Sequence, residues 1–271
     1  MAEALSFEPP RAESISLLEI PAPQLDTIAG AVTRCFEFSC RGDRVPLTLI
    51  SPESGPSRAT LLVQPLPGDP AGLPGLRGLR SCLGAGVALA AIELPLFGSR
   101  RSPKLSKKLT SAVASCARGE TVGETSLILW TEFVRQSVLE LRRALDVLDE
   151  IPDVRAEPVA FAGVGLGASV GAIACAADER PVGCVLVGAG GGFGPAEIDP
   201  ATHVGRISPR PLLLVTRETG GAEAGAPPVT GDQANALAEA AGEPLEVESQ
   251  SGSEVDLLGP AWRFLSPLLE R

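Results

Sequence analysis

Short apolar runs alternate with longer amphipathic segments along most of the chain. Ser126 to Asp149 is the clearest amphipathic segment, because apolar residues recur in it at steps of three and four and draw one stripe. Charged residues, among them Glu140 and Arg143, occupy the other side, so the pattern predicts a helix with a solvated face. The short runs are typical of strands buried on both faces of a parallel sheet: Ala59 to Gln64, Gly86 to Leu94, Val159 to Ala162, Val182 to Val187 and Leu212 to Thr216.

The segments on either side extend this pattern. Thr33 to Ser39 and Val45 to Ile50 predict an antiparallel hairpin, and residues 1–30 predict a loosely attached arm. Further helices are predicted at Leu73 to Leu83, Gly231 to Ala241 and Pro260 to Leu269, and a last strand at Pro244 to Ser249. Strands that alternate with helices from residue 59 onward predict an α/β fold, a mostly parallel sheet covered on both faces. We expect a single domain over residues 31–271.

The most distinctive motif lies in the stretch Val159 to Cys175. A short apolar run meets Gly163-Val164-Gly165-Leu166-Gly167 and continues into small apolar residues that can form a closely packed helix. This pattern resembles the nucleophile elbow of the α/β-hydrolase superfamily, which reads GxSxG and exposes its serine on a sharp turn. Gly165 stands where that serine is expected. Arg206 to Leu214 also resembles the approach to the penultimate strand in dienelactone-hydrolase-like and serine-peptidase-like members.

Two other interpretations of this stretch remain open. A formal GxSxG occurs around Ser169, but it requires the strand to continue through two glycines, which strands disfavour. Otherwise Ser169 lies in the first turns of the helix. Gly163, Gly165 and Ala168 also match the dinucleotide fingerprint GxGxxG/A. That fingerprint needs an acidic residue at the end of the next strand, and Val182 to Val187 is followed by glycines, which argues against nucleotide binding.

The superfamily resemblance implies an acid after the penultimate strand and a histidine after the last one. Glu218 is the residue that could serve as the acid, although its position matches poorly, and Ser253 stands where the histidine is expected. The chain has one histidine, His203, which precedes the penultimate strand and is expected to be a loop or core residue. The resemblance thus implies a triad that is degenerate at Gly165, Glu218 and Ser253.

Two loops complete the predicted site. The loop Pro65 to Asp69 stands where the superfamily supplies an oxyanion-hole N–H, and its two prolines lack that donor. The turn Glu93 to Arg100 is similar to the superfamily turn DxPxHGxR, with Phe97 in place of the histidine. Residues 101–125 are more basic and predict a lid or a solvated loop with one helix. The predicted cleft is lined by Leu66, Gly68, Phe97, Gly165, Leu166 and Ser253.

Composition narrows the function classes. The net charge of −10 argues against a nucleic-acid partner and against an anionic membrane surface, because both require a basic face. The six cysteines show neither CxxC spacing nor a Cys/His cluster, so neither a disulfide framework nor a metal site is indicated, and Cys175 and Cys184 are expected in the core. No segment is typical of a signal peptide or a spanning helix, which predicts a cytoplasmic protein. No cofactor is expected.

The sequence therefore predicts an α/β-hydrolase-fold protein that has lost serine-hydrolase activity and binds a small molecule or a partner protein in the former cleft. One alternative is an active esterase or peptidase that uses Ser169. A second is a non-hydrolytic enzyme that uses Glu93, Glu218, His203 or Asp256 for acid–base chemistry.

Overall fold

The computed structural model describes residues 7, 15–21, 28–65, 72–73, 76–217, 229–250 and 256–270 of the chain. Nine strands in these residues form one sheet in the order β1-β2-β3-β5-β4-β6-β7-β8-β9. They are β1 (Leu17–Ile20), β2 (Ala31–Cys40), β3 (Asp43–Pro52), β4 (Ala59–Gln64), β5 (Val87–Ile92), β6 (Val159–Val164), β7 (Pro181–Val187), β8 (Leu212–Arg217) and β9 (Leu245–Gln250). The pairs β1–β2, β2–β3 and β3–β5 are antiparallel, and the remaining pairs are parallel.

Helices cover both faces of this sheet. The described helices are α1 (Leu79–Gly84), α2 (Pro103–Ala117), α3 (Glu124–Leu148), α4 (Leu166–Ala177), α5 (Gly231–Ala240) and α6 (Leu258–Leu269). Buried residues of α2, α3 and α4 form a core on one face, and those of α1 and α6 form a core on the other. The predicted α/β fold with an N-terminal antiparallel hairpin is thus confirmed.

Two predictions made from the sequence pattern were wrong. The helix predicted over Leu73 to Leu83 begins only at Leu79, because Gly78 takes a left-handed conformation with φ 83° that ends any helix before it. The side of α3 predicted to be solvated contains Glu140, which is fully buried, and Arg143, which is also buried. A helical pattern cannot distinguish a solvated carboxylate from one that is paired with a residue far away in the sequence.

Residues 101–125, predicted as a lid or as a solvated loop with one helix, contain all of α2 and the first residues of α3. Pro103 occupies the first turn of α2. Backbone N–H groups there have no partner within the helix, so the N–H that proline lacks is not needed. Leu109 and Val113 of α2 are buried in the core beside α3. The segment is therefore packed onto the domain through an apolar helix face.

Candidate functional site

Gly165 forms the turn between β6 and α4. The strand ends at Val164, the helix begins at Leu166, and Gly165 has φ 54° and ψ −117°. A residue with a side chain is strained at such a positive φ, whereas glycine adopts it freely. The backbone N–H of Gly165 donates to the carbonyl oxygen of Val187 on β7 at 2.8 Å. This bond holds the buried turn at the carboxyl edge of the parallel strands.

Glycines also let α4 lie unusually close to the sheet. A Cβ at Gly163 would be 2.9 Å from the backbone of Ala168, and one at Gly171 would be 2.1 Å from Cε1 of Phe161. A Cβ at Gly167 would be 2.8 Å from Cγ of Gln64, the last residue of β4. These distances are far below ordinary carbon–carbon contacts. The position of α4 above β4 and β6 therefore depends on the absence of these side chains.

Ser169 lies in the first turns of α4. Its backbone N–H donates to the carbonyl oxygen of Gly165 at 2.9 Å, and its Oγ donates to the same oxygen at 3.1 Å. The hydroxyl therefore bonds within its own helix, four residues past the turn. It lines a cavity of about 20 Å³, room for about one water molecule. The other lining residues are apolar: Val113, Trp130, Val134, Leu166, Val170, Ile173, Phe193, Ile198 and Pro200.

The described residues of the predicted cleft are all buried. Phe97 packs edge-on against Phe133 of α3, with 6.0 Å between the ring centroids, and Leu166 lines the cavity beside Ser169. Leu66, Gly68 and Ser253 lie outside the described residues, as does the predicted acid Glu218. The structure thus brings Phe97, Gly165 and Leu166 to the face that also holds α3 and α4, and the cleft itself stays a prediction.

The carboxylate of Glu93 folds the turn that follows β5. One of its oxygens accepts from the backbone N–H of Ser99 at 2.8 Å and from Oγ of Ser99 at 2.5 Å. Gly98, at φ 55°, is pressed against this carboxylate, because a Cβ there would be 2.6 Å from Cδ of Glu93. Glu93 is therefore engaged in closing its own loop.

Arg100 at the end of this turn forms an ion pair with Glu140 of α3. Two guanidinium nitrogens contact the two carboxylate oxygens at 2.6 and 2.7 Å, and the Nη1 group also donates to the carbonyl oxygen of Glu93 at 2.9 Å. Burial raises the pKa of Glu140, and the hydrogen bonds and charge of Arg100 oppose that rise. The pair fixes the residues just before α2 against the middle of α3.

Both ring nitrogens of His203 are engaged in the loop between β7 and β8. Nε2 lies 3.0 Å from the carbonyl oxygen of Glu197, and Nδ1 lies 2.6 Å from a guanidinium nitrogen of Arg206. These partners require a neutral ring that donates from Nε2 and accepts at Nδ1. Burial and then the charge of Arg206 lower the pKa of His203, although the carbonyl of Glu197 opposes this. In this arrangement no ring nitrogen is left to accept a proton from a nucleophile.

The remaining acid–base candidate, Asp256, lies two residues before α6. Its Oδ1 accepts from the backbone N–H of Gly259 at 2.9 Å, and its own backbone bonds to the side chain of Gln250. Glu93, His203 and Asp256 thus belong to three separate local arrangements, and Glu218 is not described. Among the described residues, no group of three metal-ligating side chains lies close enough to hold an ion.

Two buried polar residues near the turn were missed by the sequence analysis. Asp199 accepts from the backbone N–H of Gly192 and of Ala201, and so closes the glycine loop after β7. Gln64 is buried beside Gly167; its Nε2 donates to the carbonyl oxygen of Ile92 at 3.0 Å, and its Oε1 has no described partner. The available signal for Gln64 was a glutamine at the end of an apolar strand. Such a polar side chain is expected to be buried and therefore to need a hydrogen-bond partner.

Solved structures share this architecture. A cold-adapted esterase from an Arctic intertidal metagenomic library is 15% identical, with a TM-score of 0.63 over 92% of this chain and 96% of its own. Acetyl xylan esterase 1 from Thermoanaerobacterium sp. is 13% identical, with a TM-score of 0.65 over 97% of this chain and 88% of its own. A glucuronoyl esterase from Solibacter usitatus is 13% identical, with a TM-score of 0.59 over 97% of this chain and 87% of its own.

No protein-family model and no curated protein matches the sequence. No helix in the described ranges is long and apolar enough to cross a bilayer. At identities this low the structural neighbours establish architecture and not activity. The strand order, the turn at Gly165 and these neighbours together show that the chain has the α/β-hydrolase fold.

Proposed function

We propose that this protein has lost serine-hydrolase activity and uses the carboxyl edge of its sheet to bind a small molecule or a protein partner. The observation that supports this most directly is Gly165. It occupies the single turn between β6 and α4, the place where a hydrolase of this fold presents its nucleophile. Without a side chain at that turn, no acyl-enzyme can form there.

The surroundings of the two other candidate groups support the same proposal. Ser169 is the nearest hydroxyl along the chain, and it donates to the carbonyl oxygen of Gly165 in its own helix. His203, the one histidine of the sequence, is held by Glu197 and Arg206. A serine needs an adjacent base to become a nucleophile. Ser169 and His203 do not contact each other in the described structure.

Labelling with a fluorophosphonate probe tests the proposal. Native protein is incubated beside a serine hydrolase with an intact triad, and any adduct is located by mass mapping. We expect no adduct and no hydrolysis of short-chain acyl esters above the uncatalysed rate. Ser169→Ala is the informative variant, and Ser111→Ala, which changes an exposed serine on α2, is the matched control.

An adduct on Ser169, with ester hydrolysis lost in Ser169→Ala and kept in Ser111→Ala, would establish the alternative, an active esterase or peptidase. An adduct on a surface serine with no ester hydrolysis would leave the proposal standing, because exposed hydroxyls react slowly without catalytic activation. Hydrolysis that survives Ser169→Ala and shows no adduct would point to acid–base chemistry and would also refute the proposal.

A further inference from the structure

Helix α2 presents a basic surface on an acidic protein. Every charged residue between positions 101 and 118 is positive, although the whole chain has a net charge of −10. Lys104, Lys107 and Lys108 are spaced so that they share one side of the helix. Lys104 and Lys107 are exposed, and the opposite side of α2 is buried. These three lysines form what we call the basic face.

Described carboxylates do little to offset the positive charge of the basic face. The side chains of Lys104 and Lys107 form no ion pair or hydrogen bond with described residues, and Lys108 donates to a hydroxyl, Oγ1 of Thr125, at 2.9 Å. The first turn of α2 contains no acidic residue. Cations near a helix N-terminus oppose the helix dipole, and like charges three and four residues apart repel each other. The arrangement therefore disfavours the helix that contains it.

Two exposed apolar side chains adjoin the basic face. Leu105 of α2 is 39% exposed and Ile128 of α3 is 55% exposed, and they are two of the five most exposed large apolar residues in the described structure. Ile128 is one helical turn beyond Thr125, the residue that Lys108 contacts. In protein interfaces apolar anchors lie inside a polar rim, and Leu105 and Ile128 beside the lysines match that arrangement.

We propose that the basic face, together with Leu105 and Ile128, docks an acidic segment of a partner protein. Carboxylates of the segment pair with the lysines, and its apolar side chains cover Leu105 and Ile128. Negative charge supplied beside the first turns of α2 also offsets the unfavourable electrostatics of the isolated helix. This surface is distinct from the turn at Gly165, so the inference extends beyond the proposed function.

Other polyanions fit this surface less well. A membrane-binding basic helix needs a free apolar face to enter the lipid, whereas the apolar face of α2 is buried, with Leu109 and Val113 in the core. A nucleic acid would extend beyond one short helix onto a protein whose remaining charge is strongly negative and repels it. A short acidic peptide segment matches the extent of the basic face and uses the apolar side chains as well.

Fluorescence anisotropy tests the docking surface. The probe is a fluorescein-labelled peptide rich in glutamate with leucine at every third or fourth position, and its counterpart has lysine in place of glutamate. The test variant is Lys104→Glu/Lys107→Glu. The matched control is Arg44→Glu/Arg80→Glu, which makes the same change of net charge at two exposed positions elsewhere on the protein.

We expect saturable binding of the acidic peptide, weakened by added salt. Charge reversal at the two lysines should weaken it roughly 10- to 100-fold and the control change much less. Ile128→Ser should weaken it several-fold without altering the salt dependence. The proposal is overturned if the acidic peptide does not bind, if both double variants weaken it equally, or if phosphatidylserine vesicles or a duplex oligonucleotide bind more tightly than the peptide.

Discussion

Replacing Gly171 with alanine tests how closely α4 approaches the sheet. In an isolated helix this change is favourable by about 1 kcal/mol, because glycine is a poor helix former. Here the new Cβ would lie 2.1 and 2.2 Å from two ring carbons of Phe161. Carbon atoms in contact are normally at least about 3.5 Å apart, so the ring or the helix must move by more than about 1 Å.

Phe161 has little freedom to make this movement. Its ring is 1% exposed and belongs to the core under α3 and α4. Overpacking of a dense core typically costs about 1–3 kcal/mol. Because the overlap is deep, the cost should lie in the upper part of that range, about 2–3 kcal/mol. After the gain of about 1 kcal/mol in helix propensity, we expect Gly171→Ala to lower the free energy of unfolding by roughly 1–2 kcal/mol. For a domain of this size that corresponds to a fall in Tm of about 2–8 °C.

Urea unfolding followed by circular dichroism measures the effect. Gly231→Ala is the control, because Gly231 begins α5 and a Cβ there meets nothing within 4 Å; it should be neutral or slightly stabilising. A double-mutant cycle with Phe161→Leu should show that the two changes are less harmful together than their sum. If Gly171→Ala is as stable as the parent protein, or if the cycle is additive, the argument from glycine packing is refuted.

Three further predictions concern ionisable groups. Glu140→Ala removes the bidentate partner of the buried Arg100, which keeps a longer ion pair with Asp43 at 3.6 Å, and should cost about 3 kcal/mol in urea unfolding. Arg118→Ala, which breaks an exposed pair, should have no measurable effect, and equal losses would contradict this. Burial raises the pKa of Asp178, but hydrogen bonds and charge from Arg180 outweigh it and hold the pKa below its usual value. The stability from Asp178 is therefore present at neutral pH and lost as pH falls below about 4, and Asp178→Asn should reduce stability at pH 7 and flatten the acid limb of the profile. The lowered pKa of His203 means that the unfolded chain binds the proton more readily, so stability should fall as pH drops below about 6.5. The single imidazole signal in an NMR titration should give a pKa below 6.5, and a value above it would contradict the hydrogen-bond assignment.

Local sequence patterns predicted the fold because each buried strand is a continuous run of apolar residues along the chain. β4 and β6 are buried along their whole length, and each appears as an apolar run. The turn at Gly165 could be located because an apolar run there meets glycines and continues into small apolar residues, the local pattern of a strand, a turn and a closely packed helix. The same pattern placed Cys175 and Cys184 in the core, where the structure has them.

Contacts between distant residues could not be predicted in this way. Arg100 and Glu140 are 40 positions apart, so the pattern along α3 assigned Glu140 to solvent. Glu93 and His203 looked like candidates for catalysis because of their chemistry, and only their partners Ser99, Glu197 and Arg206 show what holds them. The residue type indicates which chemistry is available, while the partners decide how it is used.

The attachment of α2 to α3 has a consequence for motion. Leu109 and Val113 are buried against α3, and the ion pair between Arg100 and Glu140 fixes the residues just before α2. A helix held at its beginning and along one face opens only together with its neighbour. We therefore expect the backbone amides of α2 and α3 to exchange hydrogen as one cooperative unit, with similar protection in both helices.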